Sequence, residues 1–412
     1  MRLTRIRVTA VSVAAALAGL LTGCATTHGP VSASGKPIPK ATLEAAQQRV
    51  EQEQIPPNLK PYYLSMYSEG RENMALYEMR GGLEALRTGQ LDQAEKLLQL
   101  ACEDVDALLA GADAARKAQG KFTKEQEKWF KGESYERSAL FLYRGLIYLI
   151  RHDYGNASAC FKRAQLYDIT SDDEPGFAGD WYSAEWALAL ASLKQGYPQD
   201  AEAALKRAAA FSSRRGEVPP PGADCNTLIV VEAGIGPIKY RSGRYGERMR
   251  YREEPSPVKR VEVLQDHKVL TATAAAESLY FQATTRGKRE VDSILNGKAN
   301  FKEGTGYAAT GLAAGALIAA QHGGQGGDIA AGVLGGLALI SAGISAATTP
   351  QADIRAWDNL PHSIYFLCLS LPPGEQALTV MGHNAAGSVI KVQELKPVIH
   401  QDDPLQVIFV RF

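Results

Sequence analysis

Three stretches of the chain carry small residues at matching places, and this pattern limits the fold more than any other feature. The first contains Gly82, Gly89, Leu91, Ala94, Leu98 and Ala101. The second contains Gly145, Tyr148, Tyr154, Ala157, Phe161 and Ala164, and the third Ala189, Gly196, Ala201, Leu205 and Ala208. Each reads as a helix bearing small residues, a turn, and a second helix on which alanine, a large apolar residue and alanine recur. Two antiparallel helices come close only where small side chains meet, and the large residue fills the gap that is left. The spacing predicts a helical domain over 61–215. Its packing points would be Gly82, Ala94, Ala101, Gly145, Ala157, Ala164, Ala201 and Ala208.

This pattern resembles the tetratricopeptide repeat, most closely in the second window. The first window has Ala85 where the signature has tyrosine, and the third has Ser192 and Pro198 where aromatic residues are expected. The windows also miss the repeat's usual period of about 34 residues, because longer stretches, 103–136 and 165–182, separate them. The expectation is an irregular tetratricopeptide-like solenoid; a generic helical bundle with alanine at its close contacts is the alternative. A concave face built from first helices would hold a peptide or partner helix. By register, its contact residues would be Tyr77, Arg80, Tyr143, Arg144, Trp181 and Trp186.

The N-terminus speaks to compartment. Arg2, Arg5 and Arg7 precede an apolar run from Val8 to Leu21, too short to span a bilayer comfortably and shaped like a secretory signal. It ends in Leu21-Thr22-Gly23-Cys24. This resembles the bacterial lipobox, which implies a signal peptide over 1–23, a thioether lipid on Cys24 and acylation of the new terminus. Each buried methylene would add about 0.8 kcal/mol to the anchor. Ala25 follows the cysteine instead of aspartate, so by resemblance to sorted lipoproteins the destination is the periplasmic side of the outer membrane. Residues 24–60 begin as a Pro-, Ser- and Gly-rich tether, with a helical stretch near Ala41 to Gln54.

After the prolines at 219–221 the composition changes. Over 223–302 come strand-like runs at Leu228–Val231, Val261–Val263 and Val269–Thr273, then a helical reading from Ala274 to Leu295. Within 303–348, two alanine- and glycine-rich runs, Gly304–Ala320 and Ile329–Ala347, carry no Lys, Arg, Asp or Glu and are joined by Gln321–Asp328. They carry two close-packing pairs, Gly311 with Gly315 and Gly332 with Gly336. This hairpin either packs within the protein or enters a membrane and assembles copies into a homo-oligomer. Residues 349–412 read as strands at 364–369, 377–380, 388–392 and 405–410, expected to pair with 223–275 in a small sandwich. The fold class is therefore α+β.

Chemistry is sparse. There is no HExxH, CxxC or phosphate-loop pattern, and Gly234-Ile235-Gly236 runs into Pro237 and reads as a turn. His362 and His383 could approach each other in the β part, but seven scattered histidines give no ligand spacing. Glu133, Glu136 and Arg137 suggest a structural charged cluster at the start of the second repeat. A basic stretch holds Arg241, Arg244, Arg248, Arg250, Arg252, Lys259 and Arg260, interleaved with Tyr240, Tyr245 and Tyr251. It is either a solvated face or a contact for anionic headgroups, an acidic partner or glycan. With 45 basic and 45 acidic residues, charge does not imply nucleic acid. Besides Cys24, four scattered cysteines, Cys102, Cys160, Cys225 and Cys368, give no disulfide framework, and Cys102 and Cys160 fit buried free thiols.

Several segments resemble one family of bacterial cell-envelope lipoproteins that joins tetratricopeptide-like helices to a β-rich C-terminal part. They are Trp129–Arg137, Val231–Pro237, the glycine-rich hairpin, Ala352–Pro361 and Leu371–Gly374. The resemblance implies an envelope role, often encoded near activators of peptidoglycan synthases, with no established activity. The expectation is a non-enzymatic, cofactor-free and metal-free adaptor, held to a lipid bilayer through acylated Cys24 and binding an envelope protein partner.

Overall fold

The computed structural model describes residues 29–110, 128–169, 179–210, 216–285 and 351–412. The expected lipidation site Cys24 lies outside the described residues, as does the apolar hairpin of 303–348 with its packing glycines Gly311, Gly315, Gly332 and Gly336. Within the described residues the fold is α+β, with nine α-helices and two four-stranded sheets.

The helices are α1 Lys40–Gln52, α2 Lys60–Ser68, α3 Met74–Arg87, α4 Leu91–Ala110, α5 Ser134–Ile150, α6 Tyr154–Ile169, α7 Tyr182–Lys194, α8 Pro198–Ala209 and the short α9 Leu279–Thr284. Three pairs, α3/α4, α5/α6 and α7/α8, form hairpins across three-residue turns, and these pack in chain order, α4 against α5 and α6 against α7. The turns share one backbone design. The N–H groups of Thr88, Gly89 and Gln90 bond back to the carbonyls of Glu84, Leu86 and Ala85. Arg151, His152 and Asp153 do the same to Ile147, Leu149 and Tyr148, as do Gln195, Gly196 and Tyr197 to Ala191, Leu193 and Ser192. These bonds use carbonyls that a helix end would otherwise leave unpaired. The middle residue is left-handed each time: Gly89 at φ 72°, His152 at φ 59°, Gly196 at φ 79°. Two of the three are glycine, which reaches that region without a steric penalty.

Close approach inside the hairpins follows side-chain size. A Cβ on Gly82 would run into the Leu98 side chain, and one on Gly145 into the Phe161 ring. Ala94, Ala101, Ala157, Ala164, Ala201 and Ala208 are all buried along the second helices. The second helices of neighbouring hairpins are tied side by side, with Arg163 on α6 paired to Asp106 on α4 at 2.7 Å.

The strands are β1 Thr227–Ala233, β2 Ile238–Ser242, β3 Arg248–Arg252, β4 Arg260–Gln265, β5 Lys268–Ala274, β6 Glu277–Ser278, β7 Ser363–Leu369, β8 Gly374–Glu375, β9 Leu378–His383, β10 Val389–Leu395, β11 Val398–Ile399 and β12 Gln406–Arg411. One sheet has the order β12-β1-β7-β6, with β12 parallel to β1 and β7 antiparallel to it. The other has the order β10-β9-β4-β5. Each sheet thus draws strands from both sides of 286–350. Alternation along the strands sorts the faces. Leu228, Val230, Ile364 and Phe366 join the helical core, whereas Ile229, Val231, Tyr365 and Leu367 share a second core with Val261, Val263, Leu378 and Val380. The first sheet therefore lies between the helices and the second sheet. A disulfide joins Cys225, just before β1, to Cys368 on β7.

One element departs from the sequence reading. The helix expected from Ala274 begins only at Leu279, because β5 runs through Ala274 and β6 pairs Glu277 and Ser278 with β7. Ser278 then caps α9 through its hydroxyl, which accepts from the Phe281 N–H. The chain stays extended there because Glu277 is held by other elements. Its carboxylate accepts from the N–H and hydroxyl of Ser183 on α7 and from Gln282 on α9.

Candidate functional site

The helices meet the first sheet along a seam of buried charge. In β1, Glu232 shares a face with Leu228 and Val230, so the strand's alternation turns a carboxylate towards the helices. There Glu232, 1% exposed, pairs with Arg87 of α3 and accepts from the Tyr143 hydroxyl of α5. Burial, then the Glu232 charge, pushes the Tyr143 hydroxyl well above its ordinary value, so it stays a donor.

A second centre forms at the start of α5. Glu136 is fully buried and ends a capping box with Glu133. It accepts from the Glu133 N–H at 2.7 Å, from Lys239 of β2 at 2.7 Å and from the Trp357 N–H at 2.8 Å. Lys239 also donates to the Arg355 carbonyl at 2.9 Å. Arg355 in turn binds Asp353, Asn73 and the carbonyls of Glu72 and Lys128. These carboxylates are saturated with donors from separate elements, as expected of groups that fasten layers together. The acidic cluster at Glu133 and Glu136 was visible in the sequence, but not its partner Lys239, about a hundred residues away. Glu232 and Glu277 were missed; for Glu232 the available signal was a lone acid ending an apolar strand run, and Glu277 fell in the stretch read as helix.

Of the six candidate contact residues, Tyr143, Trp186 and Arg80 lie on or beside this seam. Tyr143 binds Glu232, and Trp186 donates to the Pro219 carbonyl at 2.8 Å with its ring 4.9 Å from that of Phe366 in β7. Arg80 donates to the Ala356 carbonyl at 2.7 Å and to Asp358 at 2.8 Å. Tyr77 donates to Glu69 at 2.7 Å, Arg144 to the Tyr148 hydroxyl at 3.2 Å, and Trp181 is fully buried. Tyr143, Trp186 and Arg80 are thus taken up by β1, β7, the Pro219 carbonyl and residues 356–358, whereas Tyr77 and Arg144 are held by Glu69 and Tyr148 of the helical part. The sequence held a hint of this: in α7 apolar residues fall on every side, which marks a helix with cover all round.

The second helices α4, α6 and α8 keep one face in solvent. A shallow, open depression on α4 is lined by Asp92, Glu95, Lys96, Gln99, Leu100 and Glu103. Leu100 and Leu166, on α4 and α6, are exposed large apolar residues, at 38% and 53%.

The remaining candidates separate. His362 pairs with Glu253 at 2.9 Å and His383 with Glu262 at 3.1 Å, each with its own carboxylate. No group of three or more His, Cys, Asp or Glu among the described residues could hold a metal ion. Cys102 and Cys160 are buried and free, and burial pushes their thiols up to about 12 and about 11. On α3, Glu78 is buried with Oε2 unpaired; burial, then the nearby Asp104, pushes its carboxyl up to about 8. No helix among the described residues is long and apolar enough to cross a membrane. No family model matches the chain, and none of the known proteins or solved structures compared with it does.

Proposed function

We propose that this chain is a lipid-anchored scaffold of the bacterial envelope, tethered through acylated Cys24 on the periplasmic side of the outer membrane, and that it binds a protein partner without catalysing a reaction. In this reading the three hairpins form an irregular tetratricopeptide-like solenoid and the two sheets a small sandwich packed on it. The observation that carries the reading is the division of labour between helix faces. First helices are spent on the sheet, while second helices stand in a row facing solvent, which offers a partner a surface and not a cleft. The buried carboxylates support a binding role, since Glu136, Glu232 and Glu277 each hold elements together. The Cys225–Cys368 disulfide supports an oxidising compartment.

The test has two arms. Chain recovered from bacterial membranes should carry acyl groups on residue 24, and Cys24→Ser should be released in soluble form; an unmodified residue 24 on membrane-bound protein overturns the anchor. A Leu100→Asp, Leu166→Asp double variant should keep the fold and lose a partner that co-purifies after crosslinking. A partner retained at full yield overturns the assignment of the second-helix face.

A further inference from the structure

The basic hairpin β2–β3 takes no part in the partner surface, and its two faces differ sharply. The inner face is pinned. Lys239 reaches Glu136, Met249 packs on Ala352, and the Tyr251 ring meets Tyr135 edge-on at 5.7 Å. The outer face carries cations in register. Arg250 sits opposite Tyr240, Arg248 opposite Ser242, and Arg252 opposite Ile238. All three arginines are exposed, as are Tyr240 and the turn residue Arg244. Alternate residues on a strand lie about 7 Å apart, so the arginines form a line of like charge. Of the acids that follow, Glu253 is engaged by His362, and Glu254 lies 3.6 Å from Arg252.

Position adds a second observation. Just after Gly29 the chain is fastened to the connection between α2 and α3, where the Ala33 N–H donates to Glu69 and Ser34 accepts from Asn73. Asn73 in turn accepts from Arg355 at 2.8 Å. Three residues before Arg355, Ala352 is bonded through its N–H to the Gly246 carbonyl at 2.8 Å and through its carbonyl to Arg241 at 2.9 Å. A short relay of contacts therefore links the point where the chain leaves towards Cys24 to the turn of the hairpin. Five Cα–Cα steps lead from Cys24 to Gly29, and they reach at most about 18 Å.

We infer that the outer face of β2–β3 docks on anionic phospholipid headgroups, so that the body is held against the bilayer at two points. This rests on the anchored reading and adds an orientation to it. Charge complementarity favours lipid: a line of arginines around an amphipathic tyrosine matches a sheet of phosphates at a polar–apolar boundary. With two contacts the row of second helices is turned in a fixed direction instead of swinging on a tether.

The experiment uses the chain from position 24 with Cys24→Ser, so that no acyl chain contributes, and measures co-sedimentation with vesicles. Vesicles of equal parts phosphatidylglycerol and phosphatidylcholine should bind it at low salt, and pure phosphatidylcholine should not. Arg248→Gln, Arg250→Gln, Arg252→Gln should weaken binding about a hundredfold, at about fivefold for each cation withdrawn near the surface. Lys162→Gln, Lys206→Gln on the helices should leave it unchanged. Arg250→Glu alone, with an unaltered circular dichroism spectrum, should also weaken binding and guards against misfolding of the triple variant. Equal binding to neutral vesicles, undiminished binding by the triple variant, or no binding to either vesicle overturns the inference, the last pointing to an acidic protein partner. Acylation of Cys24, read by mass spectrometry on native material, is a separate result, so either claim can fail alone.

Discussion

At residue scale, Glu78 is buried with one carboxylate oxygen unpaired. It lies in α3 at 4% exposure, and its carboxyl is pushed up to about 8 from an ordinary value of 4.5. The folded chain thus keeps a proton that the unfolded chain has already released, so stability falls as pH rises through the interval between the two values. Glu78→Gln should match the parent below the lower value and exceed it by about 1–3 kcal/mol at about pH 8. Urea unfolding at both ends of the interval checks this; an equal difference at both contradicts it. Lys239 is the opposite case, a buried cation with a well-placed acceptor. Lys239→Met should cost about 3–5 kcal/mol, since Glu136 would remain buried with its charge unpaired. A loss below about 1 kcal/mol in the same assay would show that the seam contributes little.

At the scale of elements, the hairpins and the first sheet can each be probed by one change of size or bonding. Gly145→Ala puts a methyl group against the Phe161 ring, fully buried and unable to swing aside, whereas Gly82→Ala meets the more pliable Leu98. The first should cost about 1–3 kcal/mol and the second less; thermal unfolding of the two variants decides the order. In the first sheet, reduction of Cys225–Cys368 should remove about 2–5 kcal/mol. Native protein should show no rapidly labelled thiol among the described residues, because Cys102 and Cys160 are buried with raised thiol values. The α+β class and the small-against-large contacts of Gly82 with Leu98 and Gly145 with Phe161 are legible along the chain, because their partners stand one helical turn-back apart. The cover over the first helices is not legible. It depends on Tyr143 meeting Glu232, 89 positions away, and on Arg355 meeting Asn73, 282 positions away. No local periodicity records such pairings. The false helix over 274–278 has the same cause, since Glu277 is kept extended by Ser183 of a distant helix.

At the scale of the whole molecule, three layers are joined into one body, with Glu136, Glu232 and Glu277 bonded across their inner faces. Part of the helical face that sequence pattern assigned to a partner, at Tyr143, Trp186 and Arg80, is occupied from within. In the proposed scaffold reading, binding falls to surfaces that look outward: the second helices, the basic hairpin and the outer face of the second sheet, where Val392 stands 55% exposed. The most direct test is a photocrosslinking amino acid placed in turn at Leu100, Leu166 and Val392 in living cells. The scaffold account predicts that Leu100 and Leu166 yield one and the same adduct and that Val392 does not. Adducts from Val392 alone, or none from either helix position, would contradict it.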